Sequence, residues 1–150
     1  MRYLLLLIAI GCGHDNNEPA CVEMATLPEM QCSDAPSVTL AKLQVDVLAP
    51  TCAKAACHDG KPGTISSIDY TTVEASLASV GKDSAYGDGL RVVDEAGRLA
   101  NSTMWLKLIG GSPKYKGPAC TSVGGIMPFG ATQPIPDAAL GEVKGWICSD

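Results

Sequence analysis

Apolar residues recur at helical spacing in four segments of the chain, and no run alternates long enough to require a central sheet. The first segment, Val38 to Leu48, stacks Leu40, Leu43 and Val47 on one face, with Ser37 placed to cap its start and Pro50 to stop it. A second, less regular segment runs from Thr71 to Val80 and ends at Gly81. The third takes Asn101 as its cap and carries Met104, Trp105 and Leu108 up to a stop at Gly110 and Gly111. In the fourth, Pro136 occupies the first turn and Leu140, Val143, Trp146 and Ile147 lie along one apolar side. The pattern predicts an all-α, loop-rich domain. Gly141 and Gly145 lie one turn apart in the last helix, where each costs about 1 kcal/mol relative to Ala. Close approach of another helix, most naturally the first, is expected to offset that cost.

Between the second and third helices, residues 81 to 100 are rich in Gly and Asp, and Leu90 to Val93 is the one piece that reads as a strand, in a small hairpin. Asp83, Asp88 and Asp94 do not have the spacing of an EF-hand calcium loop, so this stretch is expected to be a solvated loop. About 115 residues remain for one domain once the flanking segments are set aside, and a single Phe and two Trp give it a lean core that a cofactor or cross-links would support.

The N-terminus changes the picture from a cytoplasmic protein to an exported one. One basic residue, Arg2, precedes an apolar run from Tyr3 to Ile10, and a polar stretch follows at once, which is the layout of an export signal and too short for a membrane span. The sequence AIGC, ending at Cys12, is similar to a bacterial lipobox. It predicts a signal peptide over 1–11, lipidation of Cys12, an acidic tether over 12–35 containing Cys21 and Cys32, and a folded domain over 36–150. The expected location is the cell envelope, lipid-anchored on the periplasmic or outer-membrane face. Between Cys12 and Ala35 there are five acids and no base, whereas the remainder is nearly neutral; no basic field invites nucleic acid.

Seven cysteines are many for an exported chain of 150 residues, and assigning Cys12 to lipid leaves an even six. Taken in sequence order they fall into Cys21 with Cys32, Cys52 with Cys57, and Cys120 with Cys148, other connectivities being open. A bridge from Cys120 to Cys148 would pin the intervening loop against the C-terminus.

The stretch TCAKAACHDGKPG sets Cys52 and Cys57 five residues apart with His58 directly after the second. Two thiols and an adjacent imidazole are the groups that attach haem c, through two thioethers and one axial bond to iron. The usual spacing is C-x-x-C-H; here it is C-x4-C-H, and thiols five apart on a helix are rotated by about 140 degrees, so the intervening loop must bulge. The same residues also read as a Cys52–Cys57 disulfide beside an ordinary surface histidine. The protein would then be a haem-free, disulfide-stapled envelope lipoprotein acting as a structural or protein-binding module. A zinc site from Cys52, Cys57, His58 and Cys120 lacks the tight second ligand pair.

Four pieces in order, VLAPTCAKAACHDG (47 to 60), LANSTMWLKLIGG (99 to 111), GIMPFG (125 to 130) and IPDAALGEVKGWI (135 to 147), give the sequence a resemblance to a known family. It resembles the small extracytoplasmic cytochrome c domains of the planctomycete and myxobacterial lipoprotein type, over residues 38 to 148, and several members share the C-x4-C-H spacing. The resemblance implies a cytochrome c-like domain of about four short helices around one haem. It makes Cys52 and Cys57 the thioether cysteines, His58 the proximal iron ligand and Met127 the distal one. Residue chemistry agrees with the last assignment, since the only other histidine, His14, lies on the tether, and Pro128 stiffens the segment that presents Met127. Gly124 and Gly125 permit close approach to a flat cofactor. Met104 is the rival methionine and reads as core.

His/Met ligation fills both axial positions, so the resemblance implies an electron carrier rather than an enzyme; weak peroxidase-type activity stays open only if Met127 does not bind. Redox partner proteins are the expected partners, with Lys54, Lys61, Lys114 and Lys116 a candidate docking ring around the haem edge.

Overall fold

The computed structural model describes residues 27–54, 57–61, 67–86, 90–109, 127–128 and 135–149. Within them the chain is mainly helical, and extended backbone pairs only as isolated bridges. The signal segment, Cys12, Cys21, Asp88, Gly110, Gly111, Lys114, Lys116, Cys120, Gly124 and Gly125 lie outside the described residues.

Helix α1 (Leu40–Leu43) starts two residues later than the periodicity predicts, because Thr39 rather than Ser37 caps it: the Thr39 hydroxyl accepts from the Lys42 N–H at 3.3 Å. Pro50 does not stop the helix. From Gln44 the chain continues as a π-helix through Cys52 with Pro50 inside it, and the Ala53 N–H reaches the Leu48 carbonyl, five residues back, at 2.8 Å. A proline in an α-helix collides with the carbonyl four residues earlier; the wider winding absorbs the ring and carries the helix into the cysteine motif. Leu43, Val47 and Leu48 on this helix are each 1% exposed or less.

Helix α2 (Val73–Leu77) is shorter than the predicted segment. Thr72 caps it, accepting from the Ala75 N–H at 3.1 Å, and Thr71 is held outside by the Asp69 carboxylate, which accepts from both its N–H and its hydroxyl. Buried Gln44 ties α1, α2 and the chain between them together: its amide donates to the Tyr70 carbonyl at 2.7 Å and its amide oxygen accepts from the Ser76 hydroxyl at 2.8 Å.

The predicted Leu90–Val93 hairpin strand forms bridges instead: Val80 pairs with Val93, and Arg91 with both Asp83 and Ser102. Leu90, Val92 and Val93 are buried there. Asp94 corrects the expectation of a solvated loop. It is 3% exposed and accepts from the Ala96 and Arg98 N–H groups and, bidentately, from the Arg98 guanidinium. Burial opposes its ionisation, but these hydrogen bonds prevail and hold the carboxyl below its usual range.

Helix α3 (Thr103–Leu108) also begins later than predicted. Asn101 closes a 3₁₀ turn (Leu99–Asn101) instead of capping, and Ser102 is buried, accepting from the Asp94 N–H and donating to the Arg98 carbonyl. Every residue of α3 is buried.

Helix α4 (Asp137–Ile147) begins one residue later than predicted, with Pro136 at the N-cap rather than in the first turn, and buries Val143, Trp146 and Ile147. Its two glycines differ. A Cβ on Gly145 would lie 2.3 Å from the Pro36 carbonyl oxygen and 2.8 Å from Val38 Cγ2, whereas one on Gly141 meets nothing within 4 Å. The close approach is thus real at Gly145 but is made by the segment entering α1, not by a second helix. Lys42 of α1 bonds Glu142 of α4 at 2.6 Å, and the Val38 N–H donates to the Ser149 hydroxyl at 3.4 Å.

The covalent pairing also differs from sequence order. Cys32 is bonded to Cys148, with Cα atoms 5.6 Å apart, so Cys32 does not pair with Cys21 nor Cys148 with Cys120. The chain from Met30 to Val38 lies along the end of α4, and that packing brings residues 116 apart in sequence together.

Candidate functional site

The π-helix delivers Cys52 to the wall of a cavity of about 310 Å³, a volume within the range of small-molecule sites. The same cavity is lined by Cys57, His58 and Met127. Four side chains singled out from two separate stretches of sequence are therefore brought to one space. Cys52 and Cys57 are free thiols, not a disulfide. Much of the remaining wall is apolar, supplied by Ile68, Val92, Met104, Leu108 and Ile135. Met104, read as core, is 8% exposed and belongs to both core and wall.

Burial pushes the Cys52 thiol up to about 11, with the neighbouring Cys57 adding to the shift, so Cys52 is held as a protonated thiol at neutral pH. Burial likewise lowers His58, assisted by the positive charge of Lys107 and opposed by a bond to the Ile68 carbonyl. That bond, at 3.3 Å, involves Nδ1. A carbonyl can only accept, so in the neutral ring Nδ1 carries the proton and Nε2 keeps its lone pair, the arrangement a metal-ligating histidine requires. The His58 carbonyl accepts from the Tyr70 N–H at 3.0 Å, and the two rings lie 5.0 Å apart at 50°. Tyr70 is 3% exposed, and burial drives its hydroxyl far above the usual phenol range.

Met127 is fixed from α3: its N–H donates to the Lys107 carbonyl at 3.1 Å. Lys107 itself was missed by the sequence reading, as were Tyr70 and Tyr86, all three of which line the cavity. The available signal was a lone charge in the run TMWLKL, between leucines that must both be buried. Of the candidate docking lysines, Lys54 and Lys61 are exposed, with Lys61 lying 3.6 Å from the Asp59 carboxylate. Among the described residues no group of three or more His, Cys, Asp and Glu side chains is arranged to hold a bare metal ion, and no helix is long and apolar enough to cross a membrane.

The donor set suits haem c. Two unlinked thiols, an imidazole with Nε2 available and a thioether sulfur share one largely apolar cavity, and these are the groups that bind haem at its vinyls and at both faces of its iron. Set against protein family models, curated proteins and solved structures, the chain matches none.

Proposed function

We propose that this chain is a haem c electron carrier, with haem joined to Cys52 and Cys57 and its iron held by His58 and Met127. The observation that carries this reading is the convergence of those four side chains on one cavity, with the two thiols not bonded to each other. Haem held by these residues would supply a one-electron couple, and with both His58 and Met127 engaged it would serve electron transfer rather than substrate binding.

The protein's own part is to hold and shield. The Ile68 carbonyl fixes the tautomer and orientation of His58 and makes its Nε2 a stronger donor. The Lys107 carbonyl holds the Met127 backbone. Ile68, Val92 and Leu108 keep water from the site and so lower the local dielectric, which disfavours the more highly charged ferric state. Export and lipidation at Cys12 would place this carrier at the cell envelope, where redox proteins are its partners and electrons pass without bond making.

Production of the full chain in a host with a haem c maturation system tests the proposal. The expected result is a chain mass increased by one haem and a Soret band that survives denaturation and acid–acetone extraction. A haem-free product with Cys52 disulfide-linked to Cys57 in the peptide map would overturn it.

A further inference from the structure

Helix α3 is buried throughout, yet it contains Lys107, which is only 9% exposed. Burying an ammonium without an anion is costly. Among the described residues no carboxylate pairs with it. What it has is an aromatic face: Nζ lies 4.2 Å from the centroid of the Tyr86 ring, which favours a cation but does not cancel its charge. Lys107 lines the cavity that holds Cys52, Cys57, His58 and Met127, and its charge is felt at His58.

The other charged groups on this wall are differently placed. Lys82 is exposed; Asp83 is exposed and paired with Arg91. Tyr70 and Tyr86 contribute phenol rings, His58 is turned toward the Ile68 carbonyl, and the two thiols would become thioethers in the holoprotein. Among the described residues Lys107 is thus the buried cation of this wall, and a ligand that carries an anion would complement it. Haem is apolar except at its two propionate carboxylates.

We propose that Lys107 is the propionate anchor of this site, its ammonium paired with one haem carboxylate while the Tyr86 ring fixes its position. This inference rests on the haem reading. It assigns the two halves of one residue to different tasks: the side chain binds a carboxylate, and the main-chain carbonyl holds Met127. An adjacent ammonium keeps that propionate ionised to lower pH and offsets the negative charge it places near the iron.

The test compares the holoproteins of the wild type, Lys107→Met and Lys107→Arg. Reduction potential is measured against pH, with the Fe(III)–thioether band read alongside. Lys107→Met is expected to lower the potential at neutral pH and to add a pH-dependent step, as the released propionate's pKa rises by about one unit or more. Lys107→Arg is expected to follow the wild type, and all three should keep the thioether band, because the Met127 bond is to the main chain. Identical pH profiles in wild type and Lys107→Met overturn the anchor while leaving the haem reading intact. Lack of covalent haem in the wild type overturns both. Should Lys107→Met fail to accumulate, infrared titration of the wild-type holoprotein decides. One propionate that stays ionised below the ordinary carboxylate range supports the anchor, and two that protonate within that range refute it.

Discussion

Replacing Gly145 with alanine adds one methyl group where α4 lies against the chain entering α1. That methyl would sit 2.3 Å from the Pro36 carbonyl oxygen and 2.8 Å from Val38 Cγ2, and the first of these is backbone that no rotamer change can move. Alanine gains about 1 kcal/mol in helix propensity over glycine. Overpacking of this kind costs about 1–3 kcal/mol, and the upper part of that range applies because the Cys32–Cys148 bond and the Val38–Ser149 hydrogen bond oppose separation of the two segments. The net expectation is a loss of about 1–2 kcal/mol. Gly141 supplies the control within the same helix: nothing lies within 4 Å of its added Cβ, so Gly141→Ala should stabilise by roughly 0.5–1 kcal/mol. Thermal unfolding of the oxidised proteins, followed by far-UV circular dichroism, reads both. For a domain of this size 1 kcal/mol corresponds to about 4 °C, so Gly145→Ala should melt about 4–8 °C below wild type and Gly141→Ala about 2–4 °C above it. Shifts of the same sign for both variants would refute the reasoning, since propensity alone treats the two glycines alike.

Met127→Ala in the holoprotein should keep covalent haem and lose the Fe(III)–thioether band, with a fall in reduction potential; a band that persists identifies another ligand, with Met104 on the same wall the first to examine. Cys32→Ser with Cys148→Ser removes a cross-link between residues 116 apart, worth about 5 kcal/mol in the chain-entropy account, and urea unfolding should show a loss of about 2–5 kcal/mol. In chain made without haem, Cys52 should alkylate at neutral pH roughly a hundredfold more slowly than an ordinary thiol, because a pKa of about 11 in place of 9.0 leaves about one hundredth of the thiolate; equal rates in the folded and urea-unfolded chain would contradict the burial. Asp94 has a folded pKa below its unfolded one, so its contribution is complete above the unfolded carboxylate range and is lost as pH falls through the folded value. Asp94→Asn should therefore lower stability near neutrality and flatten the acid limb of the stability–pH curve, as measured by denaturant titration at a series of pH values.

The parts of this protein visible in its sequence are those fixed by neighbouring residues. Helical periodicity placed all four helices close to their observed positions, because the register of Leu43 with Val47, or of Val143 with Trp146 and Ile147, is set within a few turns. Their ends moved where a side chain had a competing partner. Thr39 and Thr72 took the caps, Ser102 turned to Asp94 and Arg98, and Pro50 was absorbed by a wider winding. Cys52, Cys57, His58 and Met127 could be named from residue chemistry and from a pattern of short motifs, but nothing local states that they share a cavity.

Tertiary packing alone decided which cysteines pair. Cys32 meets Cys148 because the segment from Met30 to Val38 lies on the end of α4, across 116 residues of intervening chain, and spacing carries no record of such an approach. It also decided that Gly145 is needed and Gly141 is not, that Asp94 is buried with Arg98, and that Lys107 is enclosed in the cavity wall beside Tyr86. The sequence by itself determined the helices and the reactive groups, because propensity, periodicity and side-chain chemistry act over a few residues. The site and its cross-link depend on where distant surfaces meet, and only the folded chain specifies that.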